Sequence, residues 1–211
     1  MWLWIVGILI FGYAIGCSHG SVIAQKISGV NLKETGVKNA GASNATIVLG
    51  KKFGALVAAI DIGKGAIAVL LVHYFTIHAG LSEDIVTALL FLVGAATVIG
   101  HNFPFYMNFN GGKGTATVIG VLLALDWKFG LIGLALFIIV ALVTDLLVFG
   151  VLMLYVTLLI LAFWVGGYWP MMIAVFLFAI AFWKHIENFR RIKDGSEKHV
   201  SAVFKKKNSK S

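Results

Sequence analysis

A chain of 211 residues that is 60% hydrophobic and only 12% charged cannot hide its apolar side chains in one water-soluble core. Lipid therefore solvates much of its surface, which excludes a water-soluble domain, and the net charge of +8 falls mainly on the segment after the first apolar run and on the C-terminal tail. The single Cys17 excludes an internal disulfide and reads as a small buried hydrophobe.

The first apolar run, residues 1–16, has no basic stretch before it and no small-residue cleavage site after it, so a retained first span is expected near 2–24. Further helices are predicted near 54–76, 84–101, 114–126, 129–144, 146–167 and 170–185. The fold class is an all-α integral membrane protein with about seven transmembrane helices. Segments 114–126 and 129–144 are shorter than the roughly 20 residues that cross about 30 Å of hydrocarbon, and as a re-entrant pair they would leave five spans. Asp126-Trp127-Lys128 and Gly166-Gly167-Tyr168-Trp169-Pro170 are the polar and glycine breaks, and Trp2, Trp4, Trp164 and Trp169 suit interfacial anchors. Lys26, Lys33, Lys38, Lys51 and Lys52 lie between the first two runs, whereas the next gap carries Glu83 and Asp84. With a basic tail at the other end, this pattern predicts the N-terminus outside and the C-terminus in the cytoplasm. Residues 1–189 read as one membrane domain and 190–211 as a basic cytoplasmic tail. Its Lys205-Lys206-Lys207 run suits anionic headgroups, not nucleic acid.

Three polar segments share the cytoplasmic face in this topology: residues 25–52, 101–115 and 184–188. In the second, glycines flank Lys113 on both sides. Glycine lets an anion approach the backbone closely, and an ammonium there is a compact charge with three donors, so a phosphate is the expected ligand. Asp61 and Lys64 lie three residues apart on one face of the second span, where an unpaired charge is costly, and they are expected to pair with each other or with polar groups of the bundle. The six histidines are scattered, with no Ser-His-Asp set and no metal cluster legible, so neither metal nor cofactor is expected. The short interrupted segments and intramembrane charges also permit a small transporter.

Five segments, in order, resemble the bacterial acyl-phosphate:glycerol-3-phosphate acyltransferase family (PlsY type). Gly36-Val37-Lys38-Asn39-Ala40-Gly41-Ala42-Ser43-Asn44 is similar to the family's Gly-Ser-x-Asn-x-Gly-Ala-Thr-Asn. Leu49-Gly50-Lys51-Lys52-Phe53-Gly54 and Asp61 through Lys64-Gly65 follow. Gly100-His101 through Phe109-Asn110-Gly111-Gly112-Lys113-Gly114 resembles Gly-His-x-x-Pro with Phe-Lys-Gly-Gly-Lys-Gly, and His185-Ile186-Glu187-Asn188 resembles His-x-Glu-Asn.

The resemblance implies a seven-helix bundle in the bacterial cytoplasmic membrane with its active site on the cytoplasmic side. It implies transfer of a fatty acyl group from acyl phosphate to the 1-hydroxyl of glycerol 3-phosphate, without a cofactor. Lysophosphatidic acid and phosphate are the products, and a substrate phosphate takes the hydroxyl proton in place of a side-chain base. By the same resemblance Lys113, Ser43 and Asn44 are the catalytic residues. Lys38, Asn39, Gly41, His101, Gly111, Gly112, Gly114, His185, Glu187 and Asn188 bind substrate, the glycines through their N–H groups, while Asp61 and Lys64 support the cavity wall. Four positions depart from the pattern: Val37 for serine, Ile47 for arginine, Asn110 for lysine and Ile186 for arginine. Three of these remove a positive charge, for which Lys38 compensates in part. The alternative is thus a divergent paralogue with another acceptor or no catalysis, serving as a lipid-binding or regulatory membrane protein.

Overall fold

Backbone polar groups left unpaired in hydrocarbon are costly, so a chain this apolar closes its hydrogen bonds inside helices. The computed structural model, whose described residues are 1–203, follows that rule and has no strand among them. Ten α-helices succeed one another: α1 (Trp2–Gly16), α2 (Gly20–Ser28), α3 (Ala42–Leu49), α4 (Lys51–His78), α5 (Glu83–Asn102), α6 (Thr115–Leu125), α7 (Trp127–Thr144), α8 (Leu147–Val165), α9 (Tyr168–Lys184) and α10 (Ile186–Lys193). Short 3-10 turns occupy Phe105–Met107 and Val200–Val203. The Lys205-Lys206-Lys207 run lies outside the described residues.

Five segments are long and apolar enough to cross a bilayer: Trp2–Ser28, Lys51–His78, Glu83–Met107, Trp127–Thr144 and Leu147–Val165. Helices α9 and α10, bent by 42°, make a sixth when taken as one span. Helix α6 has 11 residues, a rise of about 16 Å, or roughly half the hydrocarbon thickness. It packs along α4 and against α7. The Asp126 carboxylate accepts from Lys128 N (2.8 Å) and Phe129 N (3.0 Å), which ends α6 and starts α7 at the expected polar break.

Small residues let these helices approach closely, as membrane packing requires. Gly16 of α1 and Gly100 of α5 meet backbone to backbone, and a Cβ built on Gly16 would lie 2.9 Å from the Gly100 Cα. The main apolar core joins α5, α6, α8 and α9 through Val98, Val118, Leu122, Leu154, Leu158 and Leu177, all buried.

The first span, expected to be continuous over 2–24, is broken at 17–19 and then runs on to Ser28. A break inside a bilayer frees carbonyls at one helix end and N–H groups at the next. The Asp61–Lys64 pair takes up both. The Lys64 ammonium donates to the carbonyls of Gly16 (2.9 Å) and Ser18 (2.6 Å), and the Gly20 N–H donates to Asp61 Oδ1 (3.3 Å). The two side chains are buried and 3.1 Å apart. The residues expected as a long loop over 25–52 contain the end of α2 and all of α3. Likewise α10 runs through the expected domain boundary at 189/190, and the chain beyond it folds back. Ser201 N and Oγ donate to the Asp145 carboxylate (2.6 and 2.8 Å) at the turn between α7 and α8.

Candidate active site

Helix α5 ends at Asn102, and the chain then makes a closed loop before α6 begins. Gly111 N donates to the Asn102 carbonyl (3.0 Å) and Gly112 N to the His101 carbonyl (3.1 Å). The His101 ring fills the space a side chain at Gly112 would need, and Asn102 Oδ1 lies 2.8 Å from where a Gly114 Cβ would be. Gly114 is itself left-handed, with φ +82°, so this turn needs glycine for its space and its backbone alike. The Gly111 and Gly112 N–H groups, expected to hold substrate, are both engaged in closing the loop. The open donors come next. The N–H groups of Lys113, Gly114, Thr115, Ala116 and Thr117 have no acceptor among the described residues, and they lead into the N-terminus of α6. Both amide atoms of the buried Asn102 side chain also lack a partner. Unpaired N–H groups at a helix N-terminus favour an anion.

Lys113 stands at that N-terminus, half-buried, and its ammonium donates to Asn188 Oδ1. Asn188 Nδ2 donates in turn to Glu197 Oε1 (2.6 Å), and Arg191 Nε pairs with Glu197 Oε2 at 2.5 Å. The two partners fix the Asn188 amide: its oxygen faces the ammonium and its nitrogen the carboxylate. Burial, aided by the nearby Arg191 charge, pulls Lys113 down to about 8, against the opposing pull of Glu187 and Glu197. The exposed Glu187 lies within electrostatic reach of Lys33, Lys113 and Lys184. His185 is buried, and its Nδ1 donates to the Ala181 carbonyl of its own helix (2.8 Å), which leaves Nε2 as the ring's acceptor.

Four charged groups missing from the expected site thus belong to it: Lys33, Lys184, Arg191 and Glu197. Arg191 and Glu197 read as tail in the sequence; Arg191 instead lies within α10, and the chain reversal after that helix returns Glu197. Lys33 reaches the glycine loop from the first polar segment, where its ammonium donates to Asn110 Oδ1 (3.0 Å). Burial lowers Lys33 below the ordinary ammonium value, and Glu187 opposes that shift.

Asn44 has a different task from the one expected. It is fully buried, accepts from Val37 N (2.9 Å), and donates through Nδ2 to the carbonyls of Leu32 (2.8 Å), Thr35 (3.0 Å) and Asn39 (3.0 Å). An amide offers two N–H groups, so no donor is left over for an anionic substrate. Asn44 thus ties the loop of residues 32–39 together. Asn39 gives its carbonyl to that bond while its side-chain nitrogen packs over Gly41. Ser43, in the first turn of α3, and Lys38, at φ +53°, are exposed, and no hydrogen bond engages either side chain among the described residues. Substituting Asn44 by alanine should orphan Val37 N and cost about 1–3 kcal/mol for the buried group alone. We expect a lower thermal midpoint in detergent and a raised KM, with a normal midpoint arguing against the loop role.

Behind the glycine loop, His19, Asp61 and His101 each offer a ligand atom within 4.8 Å of the others. The two imidazoles are stacked, with centroids 4.5 Å apart and planes 22° apart. Lone pairs in near-parallel planes do not converge on one ion, so this arrangement fits a metal poorly. The Lys64 ammonium, 2.8 Å from His101 Nδ1, serves as the cation of the cluster.

The family model described as Glycerol-3-phosphate acyltransferase matches residues 6–195. Among similar proteins, Glycerol-3-phosphate acyltransferase 1 of Oceanobacillus iheyensis is 42% identical over 200 residues, covering 95% of this chain and 97% of that protein. Glycerol-3-phosphate acyltransferase 2 of Thermotoga maritima is 33% identical over 199 residues, covering 93% and 96%. Two crystal structures of PlsY (YgiH), an integral membrane glycerol 3-phosphate acyltransferase, superpose closely at 28% identity. The glycerol 3-phosphate form gives a TM-score of 0.82 over 95% of this chain and 99% of that one, and the lysophosphatidic acid form 0.80 over 95% and 98%. The motif order, the anion-ready start of α6 and these matches agree: the chain belongs to the glycerol-3-phosphate acyltransferase family of integral membrane proteins.

Proposed function

We propose that this chain transfers a fatty acyl group from acyl phosphate to the 1-hydroxyl of glycerol 3-phosphate at the cytoplasmic face of a bacterial membrane. The supporting topology has seven crossings, with α6 as a short one, the N-terminus outside and the C-terminus inside. The single observation that carries the reading is the Lys113 ammonium, held by Asn188, at a helix start with five consecutive N–H groups that have no acceptor among the described residues. Acyl phosphate is a mixed anhydride, so the protein's work is to hold two anions in line and stabilise charge. The hydroxyl oxygen attacks the acyl carbon, the bond from that carbon to the phosphate oxygen breaks, and the proton passes to a phosphate oxygen. Lysophosphatidic acid and phosphate leave. Ser43 and Lys38, exposed beside the ordered loop, are placed to meet substrate, whereas Asn44 and Gly41 shape the loop.

Losses of charge at Ile47, Asn110 and Ile186 argue for a paralogue without catalysis, but Lys33, Lys184 and Arg191 bring three cations back to the Lys113 region. Purified protein given acyl phosphate and glycerol 3-phosphate should release phosphate and form lysophosphatidic acid. An inactive wild type beside an active Ile47→Arg, Asn110→Lys double variant would decide for the paralogue instead.

A further inference from the structure

The position next to the glycine loop where the family pattern has lysine is Asn110 here, exposed and one residue from Gly111. Its side-chain oxygen is not idle. It accepts from Lys33, a residue 77 positions earlier in the chain, at 3.0 Å. Among the described residues this is the side-chain hydrogen bond that joins the first polar segment to the glycine loop.

The segment that presents Lys33 is held firmly. Leu32 is buried and its carbonyl is bound by Asn44, Lys33 N donates to Asn31 Oδ1 (3.0 Å), and Thr35 Oγ1 donates to the Asn31 carbonyl (2.6 Å). Lys33 is therefore aimed, not loosely tethered. Around it stand Glu187 and Lys184, the first opposing and the second matching its charge. The amide oxygen takes one N–H of the ammonium and leaves the other two of its three donors for another acceptor. Lys113, by contrast, reaches away from this pair, to Asn188 of α10.

We infer that Lys33 is a substrate-binding residue of this enzyme, which supplies across space the phosphate-binding charge that Asn110 lacks, with Asn110 holding its ammonium in place at the glycine loop. This rests on the acyltransfer reading, and its ligand is a phosphate monoester, carried by either glycerol 3-phosphate or acyl phosphate. Separate KM values for the two substrates tell which.

The test uses the purified full chain and the variants Lys33→Met, Lys33→Arg and Lys33→Met/Asn110→Lys. Lys33→Met should raise KM for one phosphate substrate at least tenfold and change kcat less than threefold, the size expected for about one charge-assisted contact. Lys33→Arg should restore most of the loss. A lysine placed directly at 110 should rescue the methionine variant, which a merely structural role for Lys33 does not predict. A second readout needs no turnover: glycerol 3-phosphate and, separately, inorganic phosphate should raise the thermal midpoint of wild type more than that of Lys33→Met. Unchanged KM values with equal midpoint shifts would overturn the assignment. So would a double variant no better than Lys33→Met. A wild type that binds phosphate through Lys33 but forms no product would instead sink the acyltransfer reading alone.

Discussion

The second-order efficiency kcat/KM for glycerol 3-phosphate should hold level from about pH 7 to 8 and then fall about tenfold per pH unit. The sign follows from the direction of the Lys113 shift. Burial brings its pKa from the ordinary 10.5 to about 8, so the ammonium is charged below that pH and neutral above it. A phosphate monoester has its second pKa near about 6, so the substrate stays a dianion throughout this window. The alkaline limb therefore reports the enzyme alone, because kcat/KM follows groups of the free protein. Lys113→Met should lie about 100-fold below wild type at pH 7, since a charge-assisted contact is worth about 1.5–3 kcal/mol and Asn188 also loses its partner. Lys113→Arg keeps a charge across the whole range, so its profile should be flat to pH 10 at a reduced level, because the guanidinium fork does not copy a point charge. A wild-type profile that is flat to pH 10 would rule out Lys113 as the titrating cation.

Composition and apolar period made the helices legible, and each expected apolar run has its helix. Local signals also found the glycine turn at 111–114 and the polar break at Asp126, because both depend on residues adjacent in sequence. What the sequence hid depends on chain return. Glu197 reaches Asn188 and Arg191 of α10 only because the residues after that helix reverse at Gly195, which has φ +68°. Lys33 and Asn110 meet across three α-helices, and no spacing rule links them. The resemblance to the family motif gives Asn44 a catalytic role, but a motif does not tell a residue that touches substrate from one that ties its loop together. The complete burial of Asn44 and its engaged N–H groups separate the two roles, and neither is visible in a one-dimensional pattern.

The largest effect on the fold is expected from Lys64→Met, which should leave little monodisperse protein after detergent extraction. The lysine is buried and serves four acceptors: Asp61 Oδ1 at 3.1 Å, His101 Nδ1 at 2.8 Å, and the carbonyls of Gly16 and Ser18. Methionine fills the volume but removes every donor. Asp61 then becomes an uncompensated buried carboxylate, a change that costs about 3–5 kcal/mol, and two carbonyls in the broken span add about 1–3 kcal/mol each. That sum rivals the roughly 5–15 kcal/mol that keeps a typical domain folded. The pair and the break can be told apart. In Asp61→Asn/Lys64→Met the buried charge is gone while Asn Oδ1 can still accept from Gly20 N, so the double variant should recover part of the lost thermal midpoint. Recovery would assign the larger share of the loss to the stranded carboxylate, and no recovery would assign it to the carbonyls of Gly16 and Ser18. A Lys64→Met protein extracted in wild-type yield, with its midpoint unchanged, would mean that the break in the first span does not depend on the ammonium.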